Sequence, residues 1–382
     1  MLASQRHLFD VPRDVCYLNS ASYSPLPLIT LEAGRAAVGR KGRPWTLDAG
    51  FAHRQHERAR AAAARLINAD ADDVVLIPAI SYGVATMAKV LTIPRSSRVI
   101  VLENDHSSPL LEWHGRAEAQ GFVVETVRQP ADGDWTSAVL AAIERPGAPP
   151  VGLASISSVH WSDGGMIDVD AVQAALRRHG AMFVIDATQG AGVIAMDVKR
   201  LDPDAVLFPT YKWLIGPYGR AFLYVAKRHQ GGVPLEQTSS GRRNVNSENP
   251  VYFGDLGYVD NARRYDMGER DHFISLEMAS MGMEMMADWG AATVGERLAM
   301  LTQRIADGVR ELGLNMLDHR LRAPHILSLG SAGGISKDLI ARLAAENIYV
   351  APRLGRMRIS PHVFNDEEDT DRFVAVLAQN LR

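Results

Sequence analysis

The sequence predicts an α/β protein, because short apolar segments alternate along the chain with longer segments of helical periodicity. The apolar segments span four to eight residues and are bounded by turn-forming residues, which is typical of buried strands rather than helices. With 382 residues, the chain is long enough to form two domains. Its last third repeats the alternation on a smaller scale, which indicates a small C-terminal α/β domain.

The predicted elements follow one another in a regular order. The first two thirds contain strands at 74–77, 99–102, 122–127, 151–155, 181–185, 205–208 and 221–225. Helical patterns cover 28–68, a segment from 84 onward, 136–144, 168–179 and a methionine-rich stretch at 274–289. The C-terminal part combines helices at 295–312, 336–346 and 367–381 with strands at 326–329, 348–351 and 357–360.

Composition and charge exclude several classes of function. Hydrophobic residues make up 47% of the chain and charged residues 22%, as in ordinary soluble globular proteins. A formal net charge of -3 provides no basic field, so we expect no nucleic-acid partner. No apolar stretch of about 18 residues is present, so we expect no membrane span.

Cysteine and histidine usage points to the cytoplasm and to a site without metal. The chain has one cysteine, Cys16, which excludes an internal disulfide and suits a reducing compartment. The N-terminus lacks the apolar core of a signal peptide. No cluster of Cys and His has zinc-type spacing, so we expect no metal ion.

The segment from 183 to 225 carries the clearest chemistry. Asp186 directly follows one predicted strand and Lys212 follows the next, so both are expected to face the crevice at the carboxyl ends of the strands. Such an amine and carboxylate suit pyridoxal 5'-phosphate: Lys212 would form the Schiff base, and Asp186 would keep the pyridine nitrogen protonated. The alternatives are a solvated lysine and a capping aspartate, although the flanking Tyr211 and Trp213 do not favour a solvated charge.

These residues resemble the cofactor segment of a known family. Asp186-Ala187-Thr188-Gln189 and Lys212-Trp213-Leu214-Ile215-Gly216-Pro217-Tyr218-Gly219 are similar to the paired motifs of the class V aminotransferase superfamily. That superfamily of fold-type I pyridoxal-phosphate enzymes includes cysteine desulfurases, kynureninase and isopenicillin N epimerase. The resemblance implies a large domain with a mostly parallel seven-stranded sheet (16–262) and a small domain (263–382, with an N-terminal arm, 1–15). It also implies a homodimer with shared active sites.

The resemblance also implies which residues bind the cofactor. Ser81, at a strand-to-helix junction, aligns with the phosphate-binding hydroxyl, although it could serve only as a helix cap. His106 would stack on the pyridine ring and take part in catalysis, and Gln189 would bond the 3-oxygen. Tyr211 and Thr210 would offer hydroxyls to the phosphate.

Three further positions are assigned by the same resemblance. Trp161 replaces an asparagine of the desulfurases near the cofactor, and it could instead line the substrate side chain or belong to the core. Arg270 would supply a charge to the neighbouring subunit's phosphate. The loop at 231–264 would reach the partner's active site, since long loops in compact domains are usually functional.

Substrate binding is assigned to arginines near the C-terminus. Arg358 aligns with the family's arginine for the substrate α-carboxylate, and a planar guanidinium suits that role. Arg353 and Arg356 are alternative candidates for binding this carboxylate, and strand alternation places Arg356 on the same face as Arg358. Tyr23 belongs to an N-terminal segment that passes over the active site in relatives.

The sequence therefore predicts an enzyme acting on a small α-amino acid, with an aminotransferase as the first expectation. A lyase or an epimerase of the same family are the alternatives. Protein-bound persulfide chemistry is not expected, because no cysteine lies between 350 and 358, where cysteine desulfurases carry theirs. A non-catalytic regulator is disfavoured, since such proteins carry an added DNA-binding domain and this chain has no basic face.

Overall fold

The computed structural model describes residues 2–245 and 256–381, and its centre is a seven-stranded, mostly parallel sheet. The strands of this sheet are β2 (Val74–Ile77), β3 (Arg98–Leu102), β4 (Val123–Val127), β5 (Val151–Ser157), β6 (Met182–Asp186), β7 (Ala205–Pro209) and β8 (Ala221–Val225). Their spatial order is β2-β8-β7-β6-β5-β3-β4. β8 runs antiparallel to both of its neighbours, whereas the other pairs are parallel. The predicted fold class is confirmed.

Both faces of the sheet are covered, which explains why its strands are continuous apolar segments rather than alternating ones. On β6, Phe183 and Ile185 belong to one hydrophobic cluster and Val184 to the cluster on the opposite face. This division follows the two-residue period of a strand.

Most of the helices were predicted, but those at Ser108–Gln120 and Val198–Leu201 were not, and the predicted stretches at 28–68 and from 84 onward have different bounds. The helices are α1 (Leu28–Lys41), α2 (Phe51–Leu66), α3 (Ile80–Val90), α4 (Ser108–Gln120), α5 (Trp135–Ile143), α6 (Val169–Arg178), α7 (Val198–Leu201), α8 (Ser275–Trp289), α9 (Ala291–Gly308), α10 (Lys337–Ala345) and α11 (Glu367–Asn380). The predicted helical stretch at 28–68 is interrupted after Lys41, because Pro44 lacks an amide hydrogen and disfavours helical geometry in the preceding residue. α3 begins at Ile80 rather than near 84, so Ser81 lies in its first turn.

The C-terminal part forms a separate three-stranded antiparallel sheet from β9 (Leu327–Leu329), β11 (Ala351–Arg353) and β12 (Arg356–Ile359). A two-residue strand near the N-terminus, β1 (Cys16–Tyr17), pairs in parallel with β10 (Ile348–Tyr349). Cys16 and Leu18 accordingly pack in the core of the C-terminal part, whereas the sequence analysis began the large domain at residue 16. The division into two domains itself stays a prediction.

The middle of the predicted loop at 231–264, residues 246–255, lies outside the described residues. On either side of it, the structure has short 3-10 turns and an isolated bridge between Arg242 and Tyr258. Across 2–245 and 256–381, no helix combines the length and the apolar character needed to cross a membrane.

This topology brings the chemically important residues to one place. β6 ends at Asp186, and the chain leaves β7 at Pro209, three residues before Lys212. The loop after β3 carries His106, and β12 of the C-terminal sheet supplies Arg358. The carboxyl ends of the parallel strands form the expected crevice of an open α/β sheet.

Candidate active site

The crevice contains one cavity with two parts, which we call the inner and the outer chamber. His106, Tyr211, Lys212 and Tyr218 line both. The inner chamber is lined in addition by Pro78, Ala79, Ile80, Ser81, Ser108, Asp186, Thr188, Pro209, Gly219 and Arg220. The outer chamber is lined in addition by Ala21, Ser22, Tyr23, Trp161, Arg353 and Arg358.

Lys212 lies where the two chambers meet, and only 7% of it is exposed. Burial lowers the pKa of its amine to about 7, and the positive charge of Arg358 acts in the same direction. The carboxylate of Asp186 opposes this shift. At neutral pH a substantial fraction of Lys212 is therefore the free amine, the form that attacks a carbonyl or accepts a proton.

Asp186 lies in the inner chamber with Lys212, although the two residues come from different strands. Its Oδ1 accepts a hydrogen bond of 2.8 Å from the backbone N–H of Thr188. Burial raises the pKa of this carboxyl to about 6, and the nearby charge of Asp105 adds to the effect. A buried carboxylate of this kind favours a positively charged partner, such as a protonated pyridine nitrogen.

Lys212 lies in a tight turn, and a hydrogen bond from Thr210 stabilises this turn. The Thr210 hydroxyl donates to the carbonyl of Pro217 at 2.7 Å, and Thr210 does not line either chamber. Ile215 has φ 45°, a left-handed conformation that is unfavourable for a β-branched residue and is held here by complete burial. In this structure the Thr210 hydroxyl therefore stabilises the lysine turn, and its contact with the phosphate stays a prediction.

One end of the inner chamber has the character of an anion site. Ser81 is exposed to it in the first turn of α3, where backbone N–H groups have no partner within the helix. Arg220 faces the same space and is 5% exposed. Its Nε donates to the Ser275 hydroxyl at 2.7 Å, and it forms no ion pair with any residue in 2–245 or 256–381.

Burial lowers the pKa of Arg220, because the charged guanidinium loses its hydration without gaining a carboxylate. Arg220 was not among the predicted site residues. Its position in the sequence, between Gly219 and the apolar strand β8, could have indicated a functional arginine, because a solvated charge is not expected there. An anion placed between Arg220 and α3 would satisfy both groups.

Gln189 lies behind the cavity rather than in it. Its Oε1 accepts a hydrogen bond of 2.7 Å from the indole of Trp213, and its Nε2 donates to the carbonyl of Ala21 at 3.2 Å. This differs from the predicted bond to the cofactor's 3-oxygen, since both ends of the amide have protein partners. Gln189 instead fixes the aromatic neighbour of Lys212.

His106 and Trp161 form one wall of the cavity. Their ring centroids are 6.4 Å apart and the rings are nearly perpendicular, at 83°. The indole of Trp161 donates to the carbonyl of Asn104 at 2.7 Å, which connects it to the loop that carries His106. Partial burial and the nearby Lys212 lower the pKa of His106, so its ring is neutral at physiological pH and available for stacking.

The outer chamber holds two arginines. Arg358 is fully buried, and it donates to the carbonyl of Trp161 at 2.6 Å and to the Ser22 hydroxyl at 2.7 Å. Arg353 donates to the same hydroxyl at 2.9 Å. Burial lowers the pKa of Arg358 to about 9, and the charge of Arg353 contributes. Neither arginine has an acidic partner among the described residues.

Arg356 does not reach the cavity, which corrects its assignment as a substrate-binding residue. Its guanidinium is bound by the side chain and carbonyl of Asn315 and by those of Ser328. A strand rises about 3.3 Å per residue, so a same-face neighbour two positions away is displaced by roughly 6–7 Å. That displacement puts Arg356 beyond the chamber that Arg358 enters.

Of the remaining predicted residues, Tyr211 lines both chambers and Tyr23 lines the outer one. Tyr23 is 59% exposed, and its ring centroid is 6.1 Å from those of Tyr211 and Tyr218. Tyr211 packs on Tyr218 at 4.2 Å, and burial raises the pKa of its phenol. Arg270 lines neither chamber and pairs with Asp266, so its role toward a partner subunit stays a prediction.

Comparisons with known proteins identify the family of this chain. The model of a family described as aminotransferase class-V matches residues 17–373. The uncharacterized aminotransferase YcbU of Bacillus subtilis (strain 168) is 25% identical over 325 residues, which cover 82% of this chain and 80% of that protein. A cysteine desulfurase from Thermococcus onnurineus NA1 has a similar fold, with a TM-score of 0.83 at 20% identity, covering 99% of this chain and 98% of that one.

The cystine C-S lyase C-DES, solved with its reaction product cysteine persulfide, also has a similar fold. The TM-score is 0.83 at 17% identity, and the match covers 96% of this chain and 98% of that one. A variant of C-DES was solved with glycine covalently linked to its PLP cofactor.

Proposed function

Because the chain belongs to the class-V aminotransferase family, we propose that it catalyses a transamination of a small α-amino acid with Lys212 as the residue that carries the cofactor. Enzymes of this family use pyridoxal 5'-phosphate. The observation that carries the proposal is the meeting of Lys212 and Asp186, from two different strands, in one buried chamber.

The residues of the inner chamber fit this cofactor. Arg220, which has no acidic partner within 2–245 and 256–381, and Ser81 with the start of α3 would hold its phosphate. Asp186 would pair with the ring nitrogen, and His106 would stack on the ring. When bound, pyridoxal phosphate links covalently to an amino group and withdraws electrons from the carbon that carries it.

The protein's own groups would then bind and orient the amino acid. Arg358 would hold the α-carboxylate in the outer chamber, which places the α-carbon near the amine of Lys212. With a pKa of about 7, the Lys212 amine can accept the α-proton and return it at physiological pH. Tyr23, at 59% exposure, lies at the mouth of the chamber and would restrict water.

A lyase is the second candidate, because two of the similar structures are described as a cysteine desulfurase and a C-S lyase. A panel of amino acids, including cysteine conjugates, distinguishes the two reactions. Transamination consumes a keto acid and yields the keto acid of the amino donor without releasing ammonia. Elimination releases ammonia and the side-chain fragment, and that result would replace transamination with a lyase activity.

We also propose that no enzyme-bound persulfide takes part, unlike in the cysteine desulfurases. Cys16 is the only cysteine of the chain, and it is completely buried in the core of the C-terminal part. Its thiol donates to the carbonyl of Asp369 at 3.3 Å, and burial raises the thiol pKa, so the reactive thiolate is disfavoured.

A homodimer is proposed from the surface of α1 and the segment after it. Leu28, Ile29, Val38 and Trp45 are all exposed, and Trp45 is 79% exposed. Large apolar side chains exposed along one segment of a chain are typical of an interaction site. Light scattering of the purified protein should give twice the mass of one chain, and Trp45→Glu should reduce it to the monomer. A wild-type monomer would overturn this proposal.

A further inference from the structure

The outer chamber carries more positive charge than an ordinary amino acid can satisfy. Of the residues that the structure describes, two arginines and Lys212 line it, and no aspartate or glutamate does. An amino acid with a neutral side chain presents a single carboxylate to this space. If Arg358 binds that carboxylate, the guanidinium of Arg353 is left without an anionic partner.

The two guanidinium groups share contacts with the same two residues, which hold them close together. Both donate to the single hydroxyl oxygen of Ser22, at 2.7 Å from Arg358 and 2.9 Å from Arg353. Both also lie over the indole ring of Trp161, at 6.0 Å and 5.7 Å from its centroid. The aromatic face stabilises cations electrostatically, so the pair is fixed in position before any ligand binds.

Holding two like charges this close costs free energy, and the repulsion acts on the more deeply buried Arg358. Burial lowers the pKa of Arg353, and burial together with Arg353 lowers the pKa of Arg358. The Nε of Arg358 is also buried without a hydrogen-bond partner. Uncompensated, buried and mutually repelling cations occur where an anion completes the arrangement.

We propose that the amino-acid substrate carries a second acidic group on its side chain, and that Arg353 recognises it while Arg358 binds the α-carboxylate. This inference rests on the proposed function, since it specifies the substrate class of the same site. The two arginines come from β11 and β12 and share the Ser22 hydroxyl. Two anionic groups on one short molecule would engage one guanidinium each.

The first experiment measures equilibrium binding of unreactive acids to the cofactor-loaded enzyme by calorimetry. Succinate is compared with butyrate, and glutarate with valerate, because each pair differs by one carboxylate against one methyl group. We expect the diacid of at least one pair to bind about tenfold tighter, the lower end of the range for a charge-assisted contact, because Arg353 is only half-buried. Equal affinities within both pairs would overturn the proposal.

The second experiment uses Arg353→Gln with Arg356→Gln as its matched control. Arg356 belongs to the same sheet but does not line the cavity, so its variant removes one positive charge nearby without touching the chamber. Arg353→Gln should reduce the ratio of the monoacid Kd to the diacid Kd to about one, whereas Arg356→Gln should keep the wild-type ratio. A preference that survives Arg353→Gln, or that is lost equally in both variants, contradicts the assignment.

The third experiment separates this inference from the proposed function. Aspartate and glutamate are compared with asparagine and glutamine by titrating the visible spectrum of the cofactor-loaded enzyme. A lower apparent Kd for aspartate or glutamate than for the matching amide supports the proposal. Equal apparent Kd values for the acids and the amides overturn it. If the diacids bind more tightly in calorimetry but no amino acid changes the spectrum, the recognition of two acidic groups by Arg353 and Arg358 is supported and the proposed function is wrong.

Discussion

Replacing Arg220 with methionine should change cofactor affinity and protein stability in opposite directions. In the proposed complex the guanidinium contacts the phosphate inside a chamber where it is 5% exposed. Removing one partner from a buried, hydrogen-bonded charge pair costs about 2–5 kcal/mol of binding free energy. A value of about 3 kcal/mol corresponds to a roughly 150-fold weaker Kd for pyridoxal phosphate.

The cofactor-free protein should respond in the opposite way. There, Arg220 is a buried cation whose hydrogen-bond partners among the described residues are a serine hydroxyl and a thioether. Methionine fills a similar volume without a charge, so the free energy of unfolding of the cofactor-free variant should stay equal or rise. The cofactor's stabilising effect should shrink, since ligand stabilisation follows the ratio of ligand concentration to Kd.

Spectroscopic titration of the cofactor-free protein measures the first effect, and calorimetric unfolding with and without cofactor measures the second. Arg322→Met is the matched control. Arg322 is buried, is bound only by Thr302 and Gln303 in the described residues, and lies outside the cavity. If Arg220→Met leaves the Kd unchanged, or if Arg322→Met weakens it equally, Arg220 does not bind the phosphate.

Three further predictions concern the lysine, the substrate arginine and the cysteine. The rate of cofactor incorporation should rise with pH and level off above about 7, because only the neutral amine of Lys212 reacts and its pKa is about 7; an increase continuing to pH 10 would show an ordinary lysine. Arg358→Met should raise KM for amino acids by roughly 10- to 100-fold, and Arg356→Met should not. Cys16→Ala should keep kcat within about twofold; a large loss in a folded variant would restore a role for the thiol.

Much of the fold was predictable from the sequence because its strands are buried on both faces. β2 and β8 have the predicted bounds, and the other strands of the large sheet differ from prediction by one or two residues at an end. The interruption between α1 and α2 had a visible signal in Pro44, which the sequence analysis did not use. α4 was not assigned, although Pro109 in its first turn and Gly121 with φ 76° after its end are typical boundary residues.

The site was predictable where position along the chain determines it. Asp186 and Lys212 reach one chamber because both follow strands that end at the same edge of the sheet. The directions of other side chains depend on partners distant in sequence. Gln189 turns toward Trp213 and Arg356 toward Asn315, contacts that position along the chain does not indicate.

Arg220 is a site residue that its position in the sequence alone does not identify. Its chemistry depends on the absence of a carboxylate nearby, which is a property of the three-dimensional surroundings. In the sequence it is one arginine among many, and most of the others form ion pairs at the surface. Burial, the lack of an ion pair within 2–245 and 256–381, and a place in the inner chamber together distinguish it.

The most direct test of the account is to identify the residue that carries the cofactor. The loaded enzyme is reduced with borohydride, which makes the link between an amine and the cofactor permanent, and is then digested and analysed by mass spectrometry. The account predicts that the label lies on Lys212, and that Lys212→Ala lacks both the label and the visible absorbance band. A label on any other lysine, or an unchanged spectrum in Lys212→Ala, would contradict it.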